Sequence, residues 1–110
     1  MIEGASNRVP AAPHWDIFRQ AELQQPELIA SLSEEIQRYV APLTEVNSTT
    51  AGHAILPNWP GRNEWNRHYA ANSSQLFGMV VWVTLFDCPE NWRTTSEPVG
   101  DRQVRIYRRA

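Results

Sequence analysis

Hydrophobic positions along the chain fall into one long run and several shorter patterned stretches. The long run is residues 76–86, Leu-Phe-Gly-Met-Val-Val-Trp-Val-Thr-Leu-Phe. Alternate positions place Met79, Val81, Val83 and Leu85 on one side, and Val80, Trp82, Thr84 and Phe86 on the other. Both sides are apolar and many residues are β-branched or aromatic, which predicts a central strand covered on both faces. Gly78 inside it reads as a bulge or a close backbone approach.

The stretch before it is helical in pattern. Residues 14–24 carry Trp15, Ile17, Phe18 and Leu23 among Arg, Gln, Ala and Glu, which favours a helix. Pro26 suits the first turn of a second helix. There Leu28, Ile29, Leu32, Ile36, Tyr39 and Val40 recur at spacings of three and four, and Pro42 stops the helix near Ala41. Residues 47–52, Asn-Ser-Thr-Thr-Ala-Gly, read as a turn. Residues 53–56 read as a short strand stopped by Pro57, and residues 57–61 as a stiff loop carrying Trp59. Asn63 is placed to cap a third helix from Glu64, with Trp65 and Tyr69 one turn apart and residues 72–74 ending it.

After the long run, residues 87–91 break the strand, and residues 92–102 read as a polar loop. Residues 103–108 alternate, with Val104 and Ile106 facing inward and Arg105 and Tyr107 outward, as a half-wet strand beside the central one. The expectation is an α+β domain over residues 14–110. It has a small, mostly antiparallel sheet of about three strands packed against about three helices. Residues 1–13, with Gly4, Pro10 and Pro13, read as a flexible arm.

Composition agrees with one globular domain: 110 residues, 42% hydrophobic and 20% charged. All ten basic residues are Arg, against twelve acids. Residues 1–60 hold seven acids and three Arg, and residues 61–110 hold five acids and seven Arg, so −4 and +2 give the net −2. That asymmetry is too small to imply nucleic acid by itself. The single cysteine, Cys88, excludes an intramolecular disulfide, and a neighbouring carboxylate at Asp87 disfavours its thiolate. No apolar leader opens the chain and no run reaches the roughly 20 residues that span a bilayer, so a cytoplasmic location is expected. Two glycosylation sequons, at Asn47 and Asn72, then read as accidental.

Three residue groups carry candidate chemistry. His53, Trp59, Glu64, Trp65, His68 and Tyr69 could wall an aromatic pocket, with Glu64 orienting His68 for acid–base work. Arg102, Arg105, Arg108 and Arg109 with Tyr107 form an Arg-bearing strand able to contact phosphates. Trp59 and Trp92, in segments read as loop, join Arg102, Arg105, Tyr107 and Arg108 as interface candidates. No ligand spacing for a metal, nucleophile motif or phosphate-cradling glycine loop occurs, so no cofactor or metal is expected.

The expected function is that of a small non-enzymatic protein that binds another macromolecule, in the first place a protein. An accessory or inhibitory factor of a bacterium or phage would fit. The alternatives are a small enzyme or ligand-binding domain using the His53, Glu64 and His68 pocket, and a nucleic-acid binder using the Arg strand. Pairing of an edge strand with its own copy would give a homodimer.

Overall fold

The computed structural model describes residues 13–86 and 92–110. The expected N-terminal arm up to residue 12, and the strand-breaking segment with Cys88, lie outside the described residues. The order is a 3₁₀ turn at Pro13–Trp15, helix α1 (Asp16–Gln24), α2 (Pro26–Val40), strand β1 (Glu45–Asn47), α3 (Ser48–Ile55), α4 (Arg62–Tyr69), α5 (Ser73–Phe86), β2 (Trp92–Val99) and β3 (Arg102–Arg109). The fold is α+β, with an antiparallel sheet in the order β1-β3-β2.

The two N-terminal helices form where the apolar spacing puts them. Pro26 opens α2, whose buried stripe is Ile29, Leu32, Ile36 and Val40. The long apolar run, however, is a helix and not a strand. It supplies most of α5, which packs against α1, α2, α3 and α4. Leu76, Phe77, Met79, Val80, Val81, Val83 and Leu85 are all buried. A helix covered over most of its surface, whose half-exposed side carries Gly78 and Trp82 instead of charges, is apolar nearly all round and loses the 3.6-residue signature that marks a half-wet helix. Ser73, Ser74 and Gln75 add a polar first turn, giving a 14-residue element, longer than most strands. Its β-branched residues lower helix propensity slightly, and burial against four helices outweighs that. The buried hydroxyl of Thr84 shares a hydrogen bond with Ser33 of α2 at 2.8 Å.

Three further expectations change. Residues 47–52 are not a turn, because the Asn47 side chain accepts hydrogen bonds from the N–H groups of Thr49 and Thr50 and starts α3 there. Residues 53–55 continue that helix and Leu56 opens a following 3₁₀ turn, so the expected short strand is absent. Asn63 lies inside α4, whose N-cap is Gly61.

Residues 92–99 are a strand and not a loop. β2 pairs with β3 along its whole length, from Trp92 opposite Arg109 to Val99 opposite Arg102. The two-residue connection, Gly100-Asp101, has Gly100 at φ +65°, a conformation glycine adopts at no steric cost. β2 is an edge strand. Pro98, which has no N–H to donate, is tolerated in such a position.

The faces of β3 are also reversed from expectation. Tyr107 shares a face with Val46 of β1 and Trp92 of β2 in this register, and all three belong to the main core. Val104 and Ile106, on the opposite face, are buried too but lie outside that cluster. On their side of the sheet, Arg108 reaches both Glu97 and Glu45. Hydrogen bonds from Arg108, and then from Thr95, hold the Glu97 carboxyl down to about 2. A depressed carboxylate pKa contributes stability above the unfolded value, and the contribution is lost as pH falls through the folded one. An NMR titration of Glu97 should therefore give a midpoint near 2. Replacing Arg108 by Gln should return it toward the ordinary carboxylate range; an unchanged midpoint would show that this pair does not form in solution.

Candidate functional site

The aromatic and histidine residues between 53 and 69 do not converge on one cleft. Trp59, Trp65 and Tyr69 are core residues stacked edge to face, with ring centroids 5.8 Å and 5.4 Å apart along the series. Their indole N–H groups tie neighbouring elements together. Trp59 donates to Ser31 of α2 at 3.0 Å, and Trp65 donates to Ser73 of α5 at 2.8 Å. Burial pushes the Tyr69 phenol up. Glu64 and His68 sit on the outer surface of α4 at 3.1 Å, and Glu64 also meets Arg67 at 3.2 Å. This is an ordinary solvated helix network. His53, on α3, faces a different cavity, described below.

The interface candidates divide in a similar way. Trp59 and Trp92 are 3% and 8% exposed, so neither indole offers a surface to a partner. Burial also pushes the Tyr107 phenol up. Two of the four C-terminal arginines are occupied by the fold. Arg108 holds Glu97 and Glu45. Arg109 crosses to the end of α2, donating to the carbonyls of Val40 and Ala41 at 3.0 Å and of Leu43 at 2.9 Å. Its guanidinium also lies 4.1 Å from the centre of the Trp92 ring. A cation there satisfies carbonyls that the helix leaves unpaired.

Arg102 and Arg105 are different. Both are exposed, and neither makes an ion pair among the described residues. Both line an open cavity of about 480 Å³. Its walls are α3, the first turns of α5 and the first half of β3. His53 stands in the α3 wall, and hydroxyls come from Ser48, Thr49, Ser73 and Ser74. Among the described residues no carboxylate lines it. A second recess of about 230 Å³ continues from it past Ser48, Gln75, Gly78 and Arg105, which border both. The second recess is lined by His14, Trp15, Met79 and Trp82, with the Arg105 guanidinium 4.4 Å from the Trp82 ring centre. Together they make one groove, cationic and hydroxyl-rich at one end and aromatic at the other.

The sequence names His53, Arg102 and Arg105 but in separate groups, because α3 and the β2–β3 hairpin are what bring them together. Trp82 is missed altogether, being counted with a buried strand. Gly78 is the signal that was present. It interrupts an otherwise apolar run, and a Cβ added there meets nothing within 4 Å, so neither a bulge nor a close approach explains it. A mid-helix glycine costs about 1 kcal/mol relative to alanine. Gly78→Ala should therefore raise the unfolding free energy by about 0.5–1 kcal/mol in urea titrations; a loss would show that the position is crowded after all.

Among the described residues no group of three or more His, Cys, Asp or Glu could hold a metal ion, and no helix is long and apolar enough to cross a membrane. No protein-family model matches the chain, and neither does any curated protein or solved structure.

Proposed function

We propose that the chain is a non-enzymatic binding protein that takes a negatively charged partner in the groove between α3, α5 and β3. The observation that carries this reading is the state of its arginines. Arg102 and Arg105 face an open cavity with no carboxylate among its described lining residues, while Arg108 and Arg109 are held by the fold. Cations left unpaired along a concave wall attract an anion, and a guanidinium meets carboxylate or phosphate oxygens with two parallel hydrogen bonds. Of the partners expected from sequence, a protein or a nucleic acid can bring that charge. The aromatic half of the expected interface drops out with Trp59 and Trp92. The acid–base alternative lacks a cleft shared by His53, Glu64 and His68. A cytoplasmic setting is part of the proposal, in keeping with one cysteine in 110 residues.

The test is retention on a heparin column in a salt gradient. The double variant Arg102→Glu with Arg105→Glu is compared with Arg62→Glu plus Arg67→Glu, an equal charge change on the exposed surface of α4. The groove variant should lose retention while the α4 variant keeps most of it, with thermal midpoints of the two close to one another. Equal losses would mean that net charge alone governs binding, and the proposal would fall.

A further inference from the structure

The groove has two ends of different chemistry, and a ligand that uses both must carry an anion and a flat ring. We infer that it binds a nucleoside phosphate, with the phosphate in the larger cavity and the base in the recess beside Trp82. The inference rests on the anion-binding reading above and names the ligand class.

The larger cavity supplies what a phosphate needs. Arg102 and Arg105 provide forked cationic donors, the hydroxyls of Ser48, Thr49, Ser73 and Ser74 provide neutral ones, and no carboxylate among the described residues lines the cavity to repel the ligand. Its volume, about 480 Å³, falls within the range of small-ligand sites. The recess supplies what a base needs. It measures about 230 Å³ and is bounded by Trp82, Trp15 and the His14 imidazole. Arg105 stands between the two ends with its guanidinium over Trp82. A guanidinium plane stacks on nucleobases as aromatic rings do, so Arg105 extends the stacking surface from the recess toward the phosphate.

Gly78 is a second, independent observation. It borders both parts of the groove, and a Cβ added there would meet no side chain or neighbouring element of the described residues within 4 Å beyond its own flanking residues. The glycine therefore leaves open the passage that a ligand spanning both ends would occupy. The same fact provides a variant that blocks the passage without disturbing the core. Gly78→Leu places a side chain in the groove, and the helix tolerates leucine better than glycine.

The experiment is calorimetric titration of the whole chain with AMP and UMP, alongside ribose 5-phosphate, adenosine and a hexaglutamate peptide. At least one nucleotide should bind tenfold or more tightly than ribose 5-phosphate and than adenosine. Gly78→Leu should lower that affinity at least tenfold while its thermal midpoint stays at or above that of the parent chain. Nucleotide and ribose 5-phosphate binding equally would overturn the inference, since the aromatic recess would then add nothing, yet leave the anion-binding reading intact. Hexaglutamate binding without any nucleotide binding would do the same. Parental affinity in Gly78→Leu would place the ligand elsewhere and overturn the inference as well. If none of the anionic probes binds, both readings fail. A 5′-phosphorylated tetranucleotide distinguishes the source of the ligand: affinity above that of the mononucleotide points to a strand end, and affinity below it to a free nucleotide, the site standing in either case.

Discussion

Replacing Trp65 by alanine is expected to cost about 4 kcal/mol of unfolding free energy, the largest effect of any single substitution considered. Trp65 is fully buried. It packs edge to face on both Trp59 and Tyr69, and its N–H is held by Ser73. Truncation removes the transfer free energy of the indole and leaves a cavity among neighbours pinned from several sides, which places the cost at the upper end for large-to-small core changes. The two ring–ring interactions add roughly 0.5–1.5 kcal/mol each to the burial. Domains of this kind have only about 5–15 kcal/mol to lose, so the variant should be close to unfolding at physiological temperature. Urea titration is the measurement, with an unchanged slope and a much lower midpoint. A loss below about 1 kcal/mol would mean that the stack is not formed in solution.

Gly61→Ala should also destabilise, for the opposite reason. A Cβ at this position would lie 2.5 Å and 2.7 Å from atoms of the Trp59 ring and 3.0 Å from a Leu28 methyl. The ring cannot swing aside freely, because Ser31 holds its N–H and Trp65 abuts it. Forcing extra volume into such a site costs about 1–3 kcal/mol. Replacing glycine by alanine returns about 0.4–1 kcal/mol through the unfolded chain, so the net loss should be about 1–2 kcal/mol. The effect should reverse in a Trp59→Ala background, where the obstructing ring is gone and Gly61→Ala becomes neutral or stabilising. Purely additive losses would show that the crowding comes from elsewhere.

Parts of this architecture are legible in the sequence because their local signals and their surroundings agree. The α2 stripe has one dry and one wet side, so its period survives, and Pro26 marks its start. The α+β class also follows from the pattern. The central element does not, because even its half-exposed side, at Gly78 and Trp82, carries no charge, leaving residues 76–86 apolar under either reading. β2 is hard to see for the converse reason. Apart from Trp92 it is mostly wet, and Arg93, Thr94, Thr95 and Ser96 show no alternation that would announce a strand. The groove inherits both difficulties. Its arginines stand out by type, but Arg102 and Arg105 look the same in sequence as Arg108 and Arg109. Only the crossing of β3 to the end of α2, and the carboxylates on the strands beside it, tell the two pairs apart.

The strand order has a consequence for how the chain comes together during synthesis. β1 and β2 are not neighbours, and each pairs with β3 alone. Until β3 is made, then, no sheet can exist at all, whatever packing the helices have reached. A ribosome paused after Val99 would hold a chain with two unpaired strand segments and, at the end of α2, carbonyls still waiting for Arg109. Residues 102–109 close the molecule in one step, joining the hairpin, the distant β1 and the α2 terminus together. Such late, long-range closure is intrinsically slow. It also leaves strand edges exposed meanwhile, so the interval before β3 emerges is when this chain is most open to misassociation with its own copies.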